Sequence, residues 1–106
     1  MRHVIWDWNG TLLDDVRECV AVVNFLLAAR HLPPLTLEKY RDCVDFPVVN
    51  FYRQLGFIFE GETFEQVAHE YIAGYLNMVP RCSLHDGARE TLDALAGAGF
   101  THSLLS

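Results

Sequence analysis

Two short apolar runs stand at opposite ends of the chain, HVIW at residues 3–6 and FTHSLLS at residues 100–106, and the stretches between them have helical spacing. Both runs are short and the first carries β-branched residues, so each reads as a strand, the first one buried and ending at Asp7. After the Gly10 turn, Asp14 or Asp15 can cap a helix with Val16, Val20, Val23 and Leu27 on one face, ending before Pro33-Pro34. Thr36 can cap a short helix through Tyr40, and Phe46-Pro47 opens another that stops at Gly56. Thr63 with Gln66 makes a capping-box pattern ahead of an apolar stripe of Phe64, Val67, Ala68, Tyr71, Ile72, Tyr75 and Leu76, closed by Pro80. Asp86 caps a fifth helix carrying Ala88, Leu92 and Leu95, and Gly97 and Gly99 end it. Strands separated by helices close most economically as a parallel pair with a crossover helix, so the fold class is α/β with a helical insertion.

Length and composition set the outer limits. At 106 residues, 51% apolar and 21% charged, the chain is of single-domain size and globular. A net charge of −6 with scattered basic residues argues against a nucleic-acid partner. No stretch approaches the roughly 18 uninterrupted apolar residues of a membrane span, and no signal-peptide pattern opens the sequence, so a cytoplasmic protein with no membrane partner is expected. Cys19, Cys43 and Cys82 are far apart and read as reduced thiols, and the five histidines lack ligand spacing.

The string with chemical content is HVIWDWNGTLLDD, residues 3–15. It resembles the first signature of the haloacid dehalogenase superfamily, an apolar strand followed by D-x-D-G-T-L, with Asp7, Gly10, Thr11 and Leu12 at matching positions. The segment DGARETLDALAGAGFTHSLLS resembles that family's return from cap to core, and Ser106 falls where the second signature places its Ser or Thr. The resemblance implies part of a Rossmann-like core, residues 1–14 and 83–106, and an inserted helical cap, residues 15–82, with hinges near Asp14 and near Arg81 to Leu84. It further implies a magnesium-dependent phosphohydrolase, similar to phosphoglycolate phosphatases, that acts on a small phosphorylated metabolite through an aspartyl phosphate on Asp7.

Elementary chemistry agrees with that assignment. A carboxylate at the carboxyl end of a parallel strand lies where open α/β sheets place their ligands. Carboxylate and phosphate repel, and a hard cation such as Mg2+ bridging them removes the obstacle. One oxygen of Asp7 and the carbonyl of Asn9 suit that ion. Gly10 allows a tight turn beneath a phosphate, while Thr11 and Ser106 are candidate donors to the transferring group. The plainer alternative for Asp7 is a strand-end residue capping a turn. Trp6 and Trp8 are expected to pack rather than touch substrate, and Tyr71, Tyr75 and Met78 to be core.

Two features depart from the family pattern. Position 9 is Asn where most of the family's phosphatases carry a second Asp, and an amide can neither give nor take a proton near neutral pH. The NG pair is also a strong turn signal by itself. The lysine and acidic residues of the later signatures are absent, since the one lysine, Lys39, lies in the insertion. The expectation is that these residues alone are inactive, and that a missing C-terminal half or self-association covers the apolar strands. Arg53 is a candidate cap contact to an anionic substrate, with a solvated surface charge as the alternative. Competing readings are a phosphate- or metal-binding regulatory protein without turnover and a 2-haloacid dehalogenase.

Overall fold

The computed structural model describes residues 2–44 and 47–105. Phe46 and Ser106, both given roles above, lie outside the described residues. The chain divides into two compact units, Met1–Asp15 with Arg81–Ser106, and Val16–Pro80.

In the first unit, β1 (Arg2–Asp7) pairs in parallel with β4 (Phe100–Leu105), in a register running from Arg2 opposite Phe100 to Asp7 opposite Leu105. Trp8 N–H carries the pairing one step further by donating to Leu105 O at 3.1 Å. Helix α5 (Ala88–Gly97) packs on β4 as the crossover. Its N-cap is Gly87, with φ of 83° and no side-chain capping bond, so the expected Asp86 cap is not formed. The left-handed turn that only glycine adopts cheaply sets where this helix starts.

The expected buried strand is a strand, but it is not buried. Val4 and Trp6 are half-buried, while Ile5 is 68% and Leu105 66% exposed. A two-stranded sheet with a helix on one face leaves its other face in water. Trp6 packs as expected, its Nε1–H donating to His102 Nδ1 at 2.9 Å.

The two connectors read as hinges are hydrogen-bonded to each other. β2 (Leu13–Asp14) runs antiparallel to β3 (Ser83–Leu84), Leu13 opposite Leu84. Short segments lying side by side satisfy their backbone groups by pairing.

The second unit is helical: α1 (Val16–Ala29), α2 (Leu37–Cys43), α3 (Val48–Gln54) and α4 (Phe64–Met78), followed by a 3₁₀ turn at Val79–Arg81. Thr36 caps α2 by accepting from Lys39 N–H, and that helix runs on past Tyr40 to Cys43. Thr63 and Gln66 form the reciprocal capping box of α4. The α4 stripe is narrower than its pattern implied. Val67 is fully buried and Tyr71 packs against the core, yet Ile72 and Leu76 are 54% and 61% exposed. Tyr75 and Met78 are half-buried rather than core.

Leu26, Leu27, Phe51, Tyr52, Phe57 and Val67 form the centre of this unit. Asn24 ties the Pro33-Pro34 segment back onto α1, its Nδ2 donating to Leu35 O at 2.9 Å and its Oδ1 accepting from Leu35 N–H at 2.6 Å. Arg30 closes the far end of α1: its guanidinium donates to both oxygens of Glu62, to Glu70 and to Leu26 O, and lies over the Phe57 ring.

Candidate functional site

Asp7 is the last residue of β1, and its side chain is exposed at the carboxyl end of a parallel pair. The chain then turns sharply. Thr11, Leu12 and Leu13 N–H all converge on Trp8 O at 3.3, 3.2 and 3.0 Å, and Gly10 N–H donates to Leu13 O at 3.0 Å. Gly10 holds φ at 75°, the left-handed region where a side chain is strained, so glycine is required by the turn itself.

This turn brings Thr11 back over the strand end. Its Oγ1–H donates to Asp7 Oδ2 at 2.9 Å. The hydroxyl is therefore directed at the candidate nucleophile rather than outward, and its N–H is engaged with Trp8 O. A charge-assisted bond of this kind holds one carboxylate oxygen in place.

Asn9 makes a contact that its sequence position did not suggest. Its Nδ2–H donates to Oδ2 of Asp15 at 3.3 Å. Asp15 is 2% exposed, the buried polar or charged residue of the described core, and Asn9 is exposed. A buried carboxylate demands partners, and the Asn9 amide is one of them. In the sequence Asp15 was legible only as one of two alternative helix caps; the adjacent acids following an NG turn were the available signal.

A further pair sits on the β2–β3 ribbon. His85 Nε2 lies 3.8 Å from Asp14 Oδ1 and makes no hydrogen bond, while His85 N–H donates to Leu12 O at 2.9 Å. His85 and Arg89 line a cavity of about 580 Å3 together with Trp8 and Leu13. Trp8, expected to pack, thus contributes a wall to an open space.

Arg53 belongs to the helical unit, exposed in the last turn of α3. Among the described residues no three His, Cys, Asp or Glu side chains gather as a metal cage. A hard cation that keeps most of its water needs fewer protein ligands. The oxygens of Asp7 and the main-chain carbonyl of Asn9 have the all-oxygen chemistry Mg2+ takes, so the donors present fit a partial shell. The three cysteines are free thiols. Among the described residues no helix is long and apolar enough to cross a membrane.

The family of haloacid dehalogenase-like hydrolases matches residues 4–106. A phosphoglycolate phosphatase of Xylella fastidiosa is 31% identical over 109 aligned positions, covering 99% of this chain and 46% of that protein. An N-acetylmuramic acid 6-phosphate phosphatase of Pseudomonas aeruginosa is 28% identical, covering 94% of the chain and 45% of its own length. The chain thus spans about half the length of the curated relatives it matches. A solved hydrolase from Pseudomonas syringae superposes with a TM-score of 0.72 at 21% identity, covering 100% of this chain and 48% of that one, which establishes the shared fold.

Proposed function

Since the chain belongs to the haloacid dehalogenase-like hydrolases, we propose that it supplies the nucleophile of a phosphohydrolase acting on a small phosphorylated metabolite. The observation that carries this reading is the exposed Asp7 carboxylate at the end of β1, gripped through Oδ2 by the Thr11 hydroxyl at 2.9 Å. In the proposed reaction an oxygen of Asp7 attacks phosphorus, the substrate's ester oxygen departs with the bonding electron pair and takes a proton from solvent water, and water then hydrolyses the aspartyl phosphate. Mg2+ held by Asp7 and the carbonyl of Asn9 would screen the repulsion between carboxylate and phosphate. Gly10 keeps the backbone beneath the phosphate free of a side chain, and Thr11 positions the nucleophile. Ser106 is proposed as a hydrogen-bond donor to the phosphate.

The unit Val16–Pro80 is proposed as the substrate-selecting cap, with Arg53 offering a guanidinium to an anionic group. The phosphatases named above motivate the substrate class, a phosphorylated small acid or sugar. Magnesium-dependent phosphate release from phosphoglycolate and N-acetylmuramic acid 6-phosphate, assayed on the longest natural form of the protein, tests the reading. Activity abolished by Asp7→Asn supports it, and activity retained in that variant overturns it.

One observation favours a second reading. Asn9 stands where proton transfer is needed, and neither its amide nor the bond to Asp15 supplies a proton to a leaving group. A protein that binds phosphate or metal without turnover would show saturable binding of both and no steady-state product.

A further inference from the structure

An amide next to a buried carboxylate has no freedom of orientation. A carboxylate accepts hydrogen bonds and an amide oxygen also accepts, so only the NH2 end of Asn9 can face Asp15. The 3.3 Å bond from Asn9 Nδ2 to Asp15 Oδ2 therefore fixes which way the amide points, with Oδ1 on the side away from the buried acid. Asp15 is itself buried. It is 2% exposed, it directly precedes the first residue of α1, and its Oδ1 lies 3.9 Å from where a Cβ on Gly10 would stand. The acid thus sits close to the Asn9-Gly10 turn, and a packed, buried side chain is a better anchor than an exposed one.

We infer that Asp15 is a positioning residue for hydrolysis at Asp7: by holding Nδ2 of Asn9, it presents Oδ1 as a fixed acceptor that orients the water attacking the aspartyl phosphate. This rests on the phosphohydrolase reading above. An amide cannot deprotonate water, but it can aim it, as a glutamine does in other phosphoryl-transfer sites. No base is required for the balance. The water oxygen bonds to phosphorus, the bond from phosphorus to the Asp7 oxygen breaks, and its electron pair regenerates the carboxylate. Both water hydrogens leave on the product as dihydrogen phosphate, so the dianionic acyl phosphate and neutral water become two monoanions. The Asn at position 9 then belongs to a coupled pair, 9 with 15, rather than being simply a lost acid.

The side-chain amide of Asn9 reports the bond without any reaction. In 15N-labelled wild-type protein, its NH2 signals are expected away from those of solvent-exposed amides and protected from exchange. In Asp15→Ala and Asp15→Val, which leave no side-chain acceptor, they collapse to the exposed position. In the active protein, Asp15→Ala lowers kcat roughly 10- to 100-fold with KM unchanged, the cost of an acceptor misplaced by about an ångström. Asn9→Ala, on an exposed side chain, produces a similar loss, and the double variant Asn9→Ala/Asp15→Ala is no worse than either single one. Unprotected Asn9 signals in the wild type, or losses that multiply in the double variant, overturn the inference. Should the buried substitutions fail to fold, the wild-type amide signals and the kcat of Asn9→Ala still decide it. Absence of phosphate release from the wild type sinks the phosphohydrolase reading instead, so the two failures are distinct.

Discussion

The Thr11 hydroxyl donates to Asp7 Oδ2 at 2.9 Å, across a turn whose geometry depends on Gly10 at positive φ. The two residues are four apart in sequence and would face each other on a helix, but here they meet because the chain reverses immediately after a strand. One oxygen of the proposed nucleophile is thereby held by a neutral donor. The direction of the carboxylate is set before any substrate arrives, and preorganisation of that kind lowers barriers without reorganisation cost during the reaction.

Replacing Thr11 by Val keeps the shape and removes the donor. Hydrogen bonds to charged groups contribute about 1.5–3 kcal/mol, so kcat for phosphate release is expected to fall roughly 10- to 100-fold. Thr11→Ser retains the hydroxyl and should retain most of the rate. Because Thr11 is exposed, the denaturation midpoint should barely move in either variant, which separates a positioning effect from a folding one.

The helical unit depends on Arg30, whose guanidinium joins Glu62, Glu70 and Leu26 O. Arg30→Met keeps much of the contact with Phe57 while removing every polar bond. A loss of about 1–3 kcal/mol in urea unfolding is expected, less than for a fully buried pair because Glu62 and Glu70 are 32% and 52% exposed. The hydrogen bond from Arg30 also holds the Glu62 carboxyl below its ordinary range. That contribution is present above the unfolded-state pKa and disappears as pH falls through the folded one, so wild type should lose stability in acid more steeply than Glu62→Gln.

Burial pushes the Tyr52 phenol up to about 12. A raised folded pKa means stability that is intact below the ordinary tyrosine value near 10 and is lost as pH climbs from there through the folded value. Burial pushes the Tyr71 phenol up as well, so tyrosinate absorbance followed against pH should show both tyrosines titrating late and coupled to unfolding. In Tyr52→Phe the late amplitude should fall by one tyrosine.

Two glycines in helices predict opposite signs. A Cβ at Gly74 would stand 2.9 Å from Val22 Cγ1, at the contact of α1 with α4, whereas one at Gly97 would meet nothing within 4 Å. Gly97→Ala should be neutral or stabilise by up to about 1 kcal/mol, the helix-propensity difference. Gly74→Ala gains the same propensity but must displace a buried valine, and thermal melting should show it destabilised.

Arg53 offers a test of the proposed cap. Its side chain is exposed, so Arg53→Ala should leave stability within about 0.5 kcal/mol of wild type. If the guanidinium grips an anionic substrate, KM rises roughly 10-fold while kcat changes little, the pattern of lost uniform binding. An unchanged KM returns Arg53 to the role of a solvated charge.

Much of this molecule was determined by short-range pattern. The Thr36 and Thr63 caps and the α1 face follow from residue types and spacings, because a cap or an amphipathic face is decided within about one helical turn, while the parallel pairing of β1 with β4 followed from the order of elements. Asp7 at the strand end was legible for the same reason. Tertiary structure alone decided the rest. The burial of Asp15 close to the NG turn, the Thr11 bond to Asp7, the pairing of β2 with β3 and the exposure of Ile5, Ile72 and Leu76 all depend on backbone direction at a few turns and on which face another element covers. An apolar pattern announces that a face could be buried, but only a neighbouring element in space removes it from water.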